Sequence, residues 1–277
     1  MPGMSATAPH RPIGVFDSGI GGLTVVAALR ALLPAEDIFY VGDTARVPYG
    51  GKSRETIERY TLEIADLLIA EGAKAIVVAC NTATALALPK LKEGVAIPSV
   101  GVIMPGAAAA AELTRNGIIG IIGTRATIGS GAYERALREQ RPDLQIHALA
   151  CPLLVPLVEE GWLDDPVTDQ VVGRYLAPLL AAGIDTLVLG CTHYPFVRES
   201  IARFVGPDVT IVDSARNCAL AAQAMLSTHG LAAAGDRKGS LRVALTDTSG
   251  SFLEVAERQL GLGIREVLPR NIEKHKN

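Results

Sequence analysis

Cysteine, aromatic residues and an excess of basic charge are all scarce in this chain, and each scarcity excludes something. Its 277 residues hold four cysteines, Cys80, Cys151, Cys191 and Cys218, too thin a density for a disulfide framework. None lies in a C-x-x-C pair or a His/Cys cluster, so no structural metal is expected. Aromatics make up 4% of the residues, which argues against a stacking platform for single-stranded nucleic acid. Twenty-six basic against 29 acidic residues leave a formal charge of −3, without the basic footprint of a nucleic-acid binder. No apolar run has the length of a membrane span. The leader M-P-G-M-S-A-T-A-P-H-R-P lacks an apolar h-region, so no secretory signal is expected and a reducing cytoplasm is the expected compartment. There is no G-K-[ST] phosphate loop. G-x-G-G at Gly19–Gly22 has Thr24 where the third glycine of a dinucleotide fingerprint would stand.

What is present is aliphatic and repetitive. K-A-I-V-V-A-C-N-T-A-T, residues 74–84, is a short β-branched run followed by a helical pattern, the signature of a central parallel strand. It delivers Cys80 where the strand gives way to the helix, the rim on which open α/β sheets bind ligands. T-L-V-L-G-C-T-H-Y-P, residues 186–195, repeats the plan around Cys191. Earlier in each half, Ile13-Gly14-Val15-Phe16-Asp17-Ser18 aligns with Ile119-Gly120-Ile121-Ile122-Gly123-Thr124. From the repeated I-G to the cysteine there are 66 positions in one round (14 to 80) and 71 in the other (120 to 191). Repetition at this length predicts two similar α/β lobes, each a mostly parallel sheet flanked by helices, with both cysteines on one cleft. The expected division is residues 1–104 plus 214–277 for the first lobe and 105–213 for the second, with Met104-Pro105-Gly106 as the break.

Other elements read along the chain are strands over 37–41, 97–102, 145–148, 209–212 and 241–245. Helices are expected from Ser53 to Glu71, after Cys80 as far as Pro89 or shortly beyond, and over 129–140, 153–160, 165–182, 217–229 and 252–260, followed by a polar tail. Ser53 and Asp165 are the expected N-caps, the latter with Pro166 at the favoured first position.

Two thiols across a cleft suit one kind of chemistry. Inverting a carbon beside a carboxylate needs a base on one face and an acid on the other, with the roles exchanged in reverse. A free thiol, with a pKa of about 8.5, can serve as either. A helix N-terminus would lower that pKa, and both Cys80 and Cys191 are expected at one. Ser18, Asn81, Thr82, Thr124 and Thr192 offer uncharged groups to hold carboxylates. Asp17, Asp43, Glu159 and His193 could take an ammonium or tune the thiols. Against this, a lone buried cysteine is ordinarily core filler, and Cys151 and Cys218 are read that way. Recurrence at strand ends with polar neighbours is what separates Cys80 and Cys191 from them.

F-D-S-G-I-G-G-L-T (16–24), G-D-T-A-R-V-P-Y-G (42–50), A-C-N-T-A-T (79–84), P-L-V-E-E-G (156–161) and G-C-T-H-Y-P (190–195) resemble the cofactor-independent glutamate racemases of bacterial cell-wall synthesis. The motifs span nearly the whole chain in that family's order. The resemblance implies pseudosymmetric lobes with glutamate between them and no cofactor. It implies proton exchange by Cys80 on one face and Cys191 on the other, assisted by Asp17 and His193 and supported by Asp43 and Glu159. Asp17, Ser18, Tyr49, Gly50, Asn81, Thr82, Thr124, Thr192 and His193 would line the substrate site. It also implies a cytoplasmic homodimer supplying D-glutamate for peptidoglycan. The rivals are a racemase of another amino acid such as aspartate, a non-catalytic gyrase-modulating protein with no direct nucleic-acid contact, and a thiol hydrolase. The last would leave the second strand-end cysteine unexplained.

Overall fold

A computed structural model of the chain describes residues 8–235, 237–247, 258–264, 266–270 and 272. The first round gives β1 (Ile13–Asp17), α1 (Leu23–Leu32), β2 (Ile38–Gly42), α2 (Arg54–Ala70), β3 (Ala75–Val78), α3 (Asn81–Gly94) and β4 (Ser99–Gly101). α4 (Ile103–Leu113) leads into the second round, β5 (Ile118–Gly123), α5 (Arg125–Gly129), α6 (Ala132–Gln140), β6 (Gln145–Ala150), α7 (Leu154–Glu159), α8 (Pro166–Ala181), β7 (Thr186–Gly190), α9 (Arg198–Val205) and β8 (Thr210–Asp213). α10 (Ser214–Thr228), β9 (Leu241–Leu245) and β10 (Val267–Pro269) complete the described elements.

Two all-parallel sheets result, ordered β10-β9-β2-β1-β3-β4 and β6-β5-β7-β8. The second is the first without its two outer strands. In each, the I-G strand lies at the centre, and the cysteine-bearing strand lies beside it. The central strands are apolar throughout because both faces are covered: every residue of β1, β2, β3 and β7 is buried. The repeated glycine has one job in both sheets. A Cβ on Gly14 would meet Ala73 Cβ at 3.0 Å, and one on Gly120 would meet Ile184 Cδ1 at 2.7 Å. Ala73 and Ile184 belong to the turns that feed β3 and β7, so the missing side chain lets each cysteine strand come in flush against its neighbour. Beneath the first sheet, Lys74 and Glu36 form a buried ion pair at 2.5 Å, with side chains 1% and 3% exposed. Lys74 Nζ also donates to the Pro9 carbonyl at 2.7 Å, and Glu36 Oε1 accepts the Ala233 amide at 2.7 Å. The pair thus fastens the returning chain to the foot of the sheet.

Local signals behave as their chemistry dictates at several ends. Ser53 Oγ accepts from the Thr56 amide and Asp165 from the Val167 amide, each capping the helix expected of it. Other expectations need correcting. α3 runs on past Pro89 to Gly94, held through the missing amide by buried Leu86, Ala87 and Leu91. Met104-Pro105-Gly106 follows the end of the strand as expected but lies within a helix rather than a loop. Pro105 is the third residue of α4, inside the first turn, where amides have no intrahelical partner to lose. The strand expected over 97–102 is only Ser99–Gly101. The helix expected over 129–140 is α6, which begins at Ala132 and is preceded by the separate short α5, and α10 starts at Ser214 because the Asp213 carboxylate caps it through the Ala215 amide. The tail contains β10 on the sheet edge. The helix expected over 252–260 lies mostly outside the described residues. Among the described residues no helix is long and apolar enough to cross a membrane.

Candidate active site

The carboxyl ends of the strands in both sheets meet across one cavity. From the first sheet, β1 brings Ser18, the loop after β2 brings Tyr49 and Gly50, and the β3–α3 junction brings Cys80, Asn81 and Thr82. From the second, β5 brings Thr124 and β7 brings Cys191, Thr192 and His193. All ten were singled out in the sequence, and all ten line the cavity together with Val47, Pro48 and Val155. The lobes are drawn tightly together, leaving a free volume of ≈ 20 Å³, room for about one water molecule.

Asp17, Asp43 and Glu159 stand one layer back from the cavity wall. Asp17 is fully buried; its Oδ2 accepts the Gly19 and Gly22 amides at 3.1 and 2.9 Å, at the entry to α1, where the helix dipole favours a carboxylate. Its Oδ1 reaches the other lobe and accepts from Thr192 Oγ1 at 3.3 Å. Asp43 is saturated: its two oxygens share the Arg46 Nε–H, and it accepts one bond from Thr246 Oγ1 at 2.9 Å and a short one from the Tyr49 hydroxyl. It fixes the loop that carries Tyr49 and Gly50. Glu159 comes from the end of α7, and its Oε1 stands 3.3 Å from His193 Nε2, an ion-pair contact rather than a directed hydrogen bond.

All four cysteines are unbridged and buried. Cys80 caps α3, its sulfur accepting the Ala83 amide at 3.5 Å and lying 3.9 Å from Ser18 Oγ. The expected lowering of its pKa does not follow. Burial and the Asp17 charge outweigh the cap and hold the thiol well above its ordinary value. Cys191 is not at an α-helix N-terminus: a short 3-10 turn, Tyr194–Val197, follows it, and α9 begins only at Arg198. Its polar partner is instead His193 Nδ1, 3.9 Å from its sulfur. Burial disfavours charge on His193, yet the Cys191 sulfur and Glu159 carboxylate outweigh it and raise the imidazole to about 10. Cys151 and Cys218 are pushed up to about 12 by burial, as core thiols are. Among the described residues no three His, Cys, Asp or Glu side chains gather as metal ligands.

Two groups at the lobe boundary escaped the sequence reading. Thr127 joins Thr82 and Thr124 in a hydroxyl triangle spanning the lobes, with Oγ1 separations of 3.0–3.2 Å. Its only signal was the spacing T-x-x-T at the start of α5. Tyr133, fully buried on α6, reaches across to Asn81 Oδ1 at 2.7 Å. An aromatic on a helical stripe reads as core, and nothing local marks its hydroxyl.

Paired thiols on matching strands, walled by uncharged donors and backed by carboxylates, define an acid–base enzyme of the racemase kind. The comparisons agree. Residues 21–223 match the sequence profile of the Asp/Glu/Hydantoin racemases, and the chain belongs to that family. It is 46% identical over 268 residues to a glutamate racemase of Geobacter metallireducens, covering 97% of this chain and 99% of that one. The crystal structure of a Bacillus anthracis glutamate racemase superimposes with a TM-score of 0.90 at 43% identity, covering 95% of this chain and 98% of the other. That of the Francisella tularensis enzyme in complex with D-glutamate gives 0.89 at 37% identity, covering 96% and 99%.

Proposed function

We propose that this chain interconverts L- and D-glutamate by cofactor-independent two-base proton transfer. The observation that carries the reading is that Cys80 and Cys191, from equivalent strands of the two sheets, are unbridged and line the same cavity. The groups around them differ in a way that suits opposite roles. Cys80, held as a neutral thiol, is the acid at rest, with Asp17 and Ser18 beside it. The His193 imidazolium, backed by Glu159, stands where negative charge on the Cys191 sulfur develops. One sulfur takes the α-proton as the other delivers a proton to the opposite face; in the reverse direction the roles exchange. Asn81, Thr82, Thr124 and Thr192 hold the substrate's carboxylates, with Tyr49 and Gly50 closing the wall. Asp43 acts through Tyr49. The cavity as it stands is small for a dicarboxylic amino acid, so binding must widen it.

Replacing Cys80 or Cys191 by Ala should abolish racemisation and leave the circular-dichroism spectrum unchanged; full activity in either variant refutes the assignment. Incubating the protein with each L-amino acid in deuterated water identifies the substrate, because only that one exchanges its α-proton rapidly. Exchange of aspartate instead of glutamate would move the reading to the rival racemase. The division this reading uses is 1–104 plus 214–277 and 105–213, a cut that falls in the first turn of α4; the place of β9 and β10 in the first sheet supports the return of the later segment to the first lobe. A cytoplasmic homodimer supplying D-glutamate for peptidoglycan rests on the family resemblance. Light scattering, and cell-wall composition after depletion of the protein, test it.

A further inference from the structure

Tyr133 touches both cysteine-bearing segments without lining the cavity. Its ring lies on the backbone just before Cys191: a Cβ on Gly190 would come 3.0 Å from Tyr133 Cε2 and 2.7 Å from the Ile122 carbonyl oxygen. Its hydroxyl crosses to the residue just after Cys80, donating to Asn81 Oδ1 at 2.7 Å. Ser214, at the head of α10, stands 2.9 Å behind that hydroxyl. Since the single phenolic proton is used on Asn81, the serine hydroxyl is the donor of the second bond, and the relay has one polarity. Burial keeps the phenol protonated and so able to donate.

The polarity determines what Asn81 shows the cavity. With Oδ1 occupied by Tyr133, the amide nitrogen is the free end. Asn81 is 2% exposed and lines the cavity, yet its Nδ2 is buried without a hydrogen-bond partner. A buried amide donor left unpaired is costly, and this one lies on the cavity wall, where a bound acceptor can satisfy it. We propose that Tyr133 is a positioning residue that holds the Asn81 amide with its nitrogen toward the substrate and registers the Cys80 segment against the Cys191 segment. The inference rests on the racemase reading, because the acceptor it supplies is a glutamate carboxylate.

Tyr133→Phe removes the hydroxyl and keeps the ring on Gly190, so the fold should persist. Freed of its partner, the Asn81 amide turns between two orientations and the carboxylate loses an assured donor. KM for glutamate should rise about tenfold, the size of one such hydrogen bond, with kcat changed less. The discriminating measurement is the double-mutant cycle with Asn81→Ala. In that background Tyr133→Phe should have no further effect on KM. An unchanged KM in the single variant, or an equal rise in both backgrounds, overturns the positioning role. Should Tyr133→Phe be too unstable to assay, Ser214→Ala takes its place: a severalfold rise in KM that vanishes beside Asn81→Ala supports the relay, and any other pattern sinks it. A wild-type chain that neither binds nor turns over glutamate would fail at the earlier step and overturn the racemase reading itself.

Discussion

Gly21 packs directly against the other lobe, and adding one methyl there is a direct test of how closely the cavity must close. A Cβ built on Gly21 would lie 2.4 Å from Thr192 Oγ1, 2.7 Å from His193 Nδ1 and 2.8 Å from the Thr192 carbonyl carbon. The threonine hydroxyl could rotate away only by giving up its bond to Asp17. The carbonyl carbon cannot rotate at all. Ordinary contact begins near 3.4 Å, so the Thr192–His193 backbone must retreat from β1's loop by about 0.6 Å, taking the imidazole and the neighbouring Cys191 with it. A misplacement approaching 1 Å at reacting groups costs on the order of a hundredfold in rate. Overpacking of this kind costs about 1–3 kcal/mol of stability. Gly21→Ala should therefore stay folded, with a melting temperature a few degrees lower, while α-proton exchange of glutamate in deuterated water falls by one to two orders of magnitude (~10- to 100-fold). Wild-type exchange rates in Gly21→Ala would show that the tight closure has no part in catalysis.

Two further outcomes follow from charges described above. Glu159→Gln removes a carboxylate that favours the imidazolium of His193, so the alkaline limb of the pH–rate profile should move to lower pH; an unmoved limb would separate His193 from that limb. Because the folded-state value is raised to about 10, the stability this histidine contributes is complete below its ordinary value and lost as pH climbs through about 10, and the variant should narrow that window from above. Lys74→Met strands the Glu36 carboxylate in the interior and should lower the urea-unfolding free energy by about 3–5 kcal/mol, with most of it regained in Lys74→Met/Glu36→Leu. A loss of less than ~1 kcal/mol in the single variant would mean that solvent reaches the pair.

The repeated halves were legible because strand chemistry and cysteine placement recur together: Gly14 with Cys80, Gly120 with Cys191. Eight of the cavity-lining residues could be named in advance because they lie within a few positions of a strand's carboxyl end, whereas Tyr49 and Gly50, farther along the loop after β2, came only from the family resemblance. What escaped was set by distance along the chain. Asp43 reads as a free carboxylate until Thr246, 203 positions later, is seen to donate to it. Tyr133 reads as core until its hydroxyl is found on Asn81, 52 positions earlier. Pro105 misled for a local reason, since proline alone reads as punctuation and only helix position shows when it is tolerated.

The insertion of β9 beside β2 has a consequence for how the chain emerges during synthesis. The β5–β8 sheet has all its strands once residue 213 has left the ribosome, whereas β2 stays an open edge until residues 241–245 arrive. The apolar strand Ile38–Gly42 is thus made early and shielded late, an interval in which bare backbone amides and carbonyls can pair with a neighbouring nascent chain. Prematurely terminated products that include β2 but not β9 would be the aggregating species, and holdase chaperones would be needed most for them.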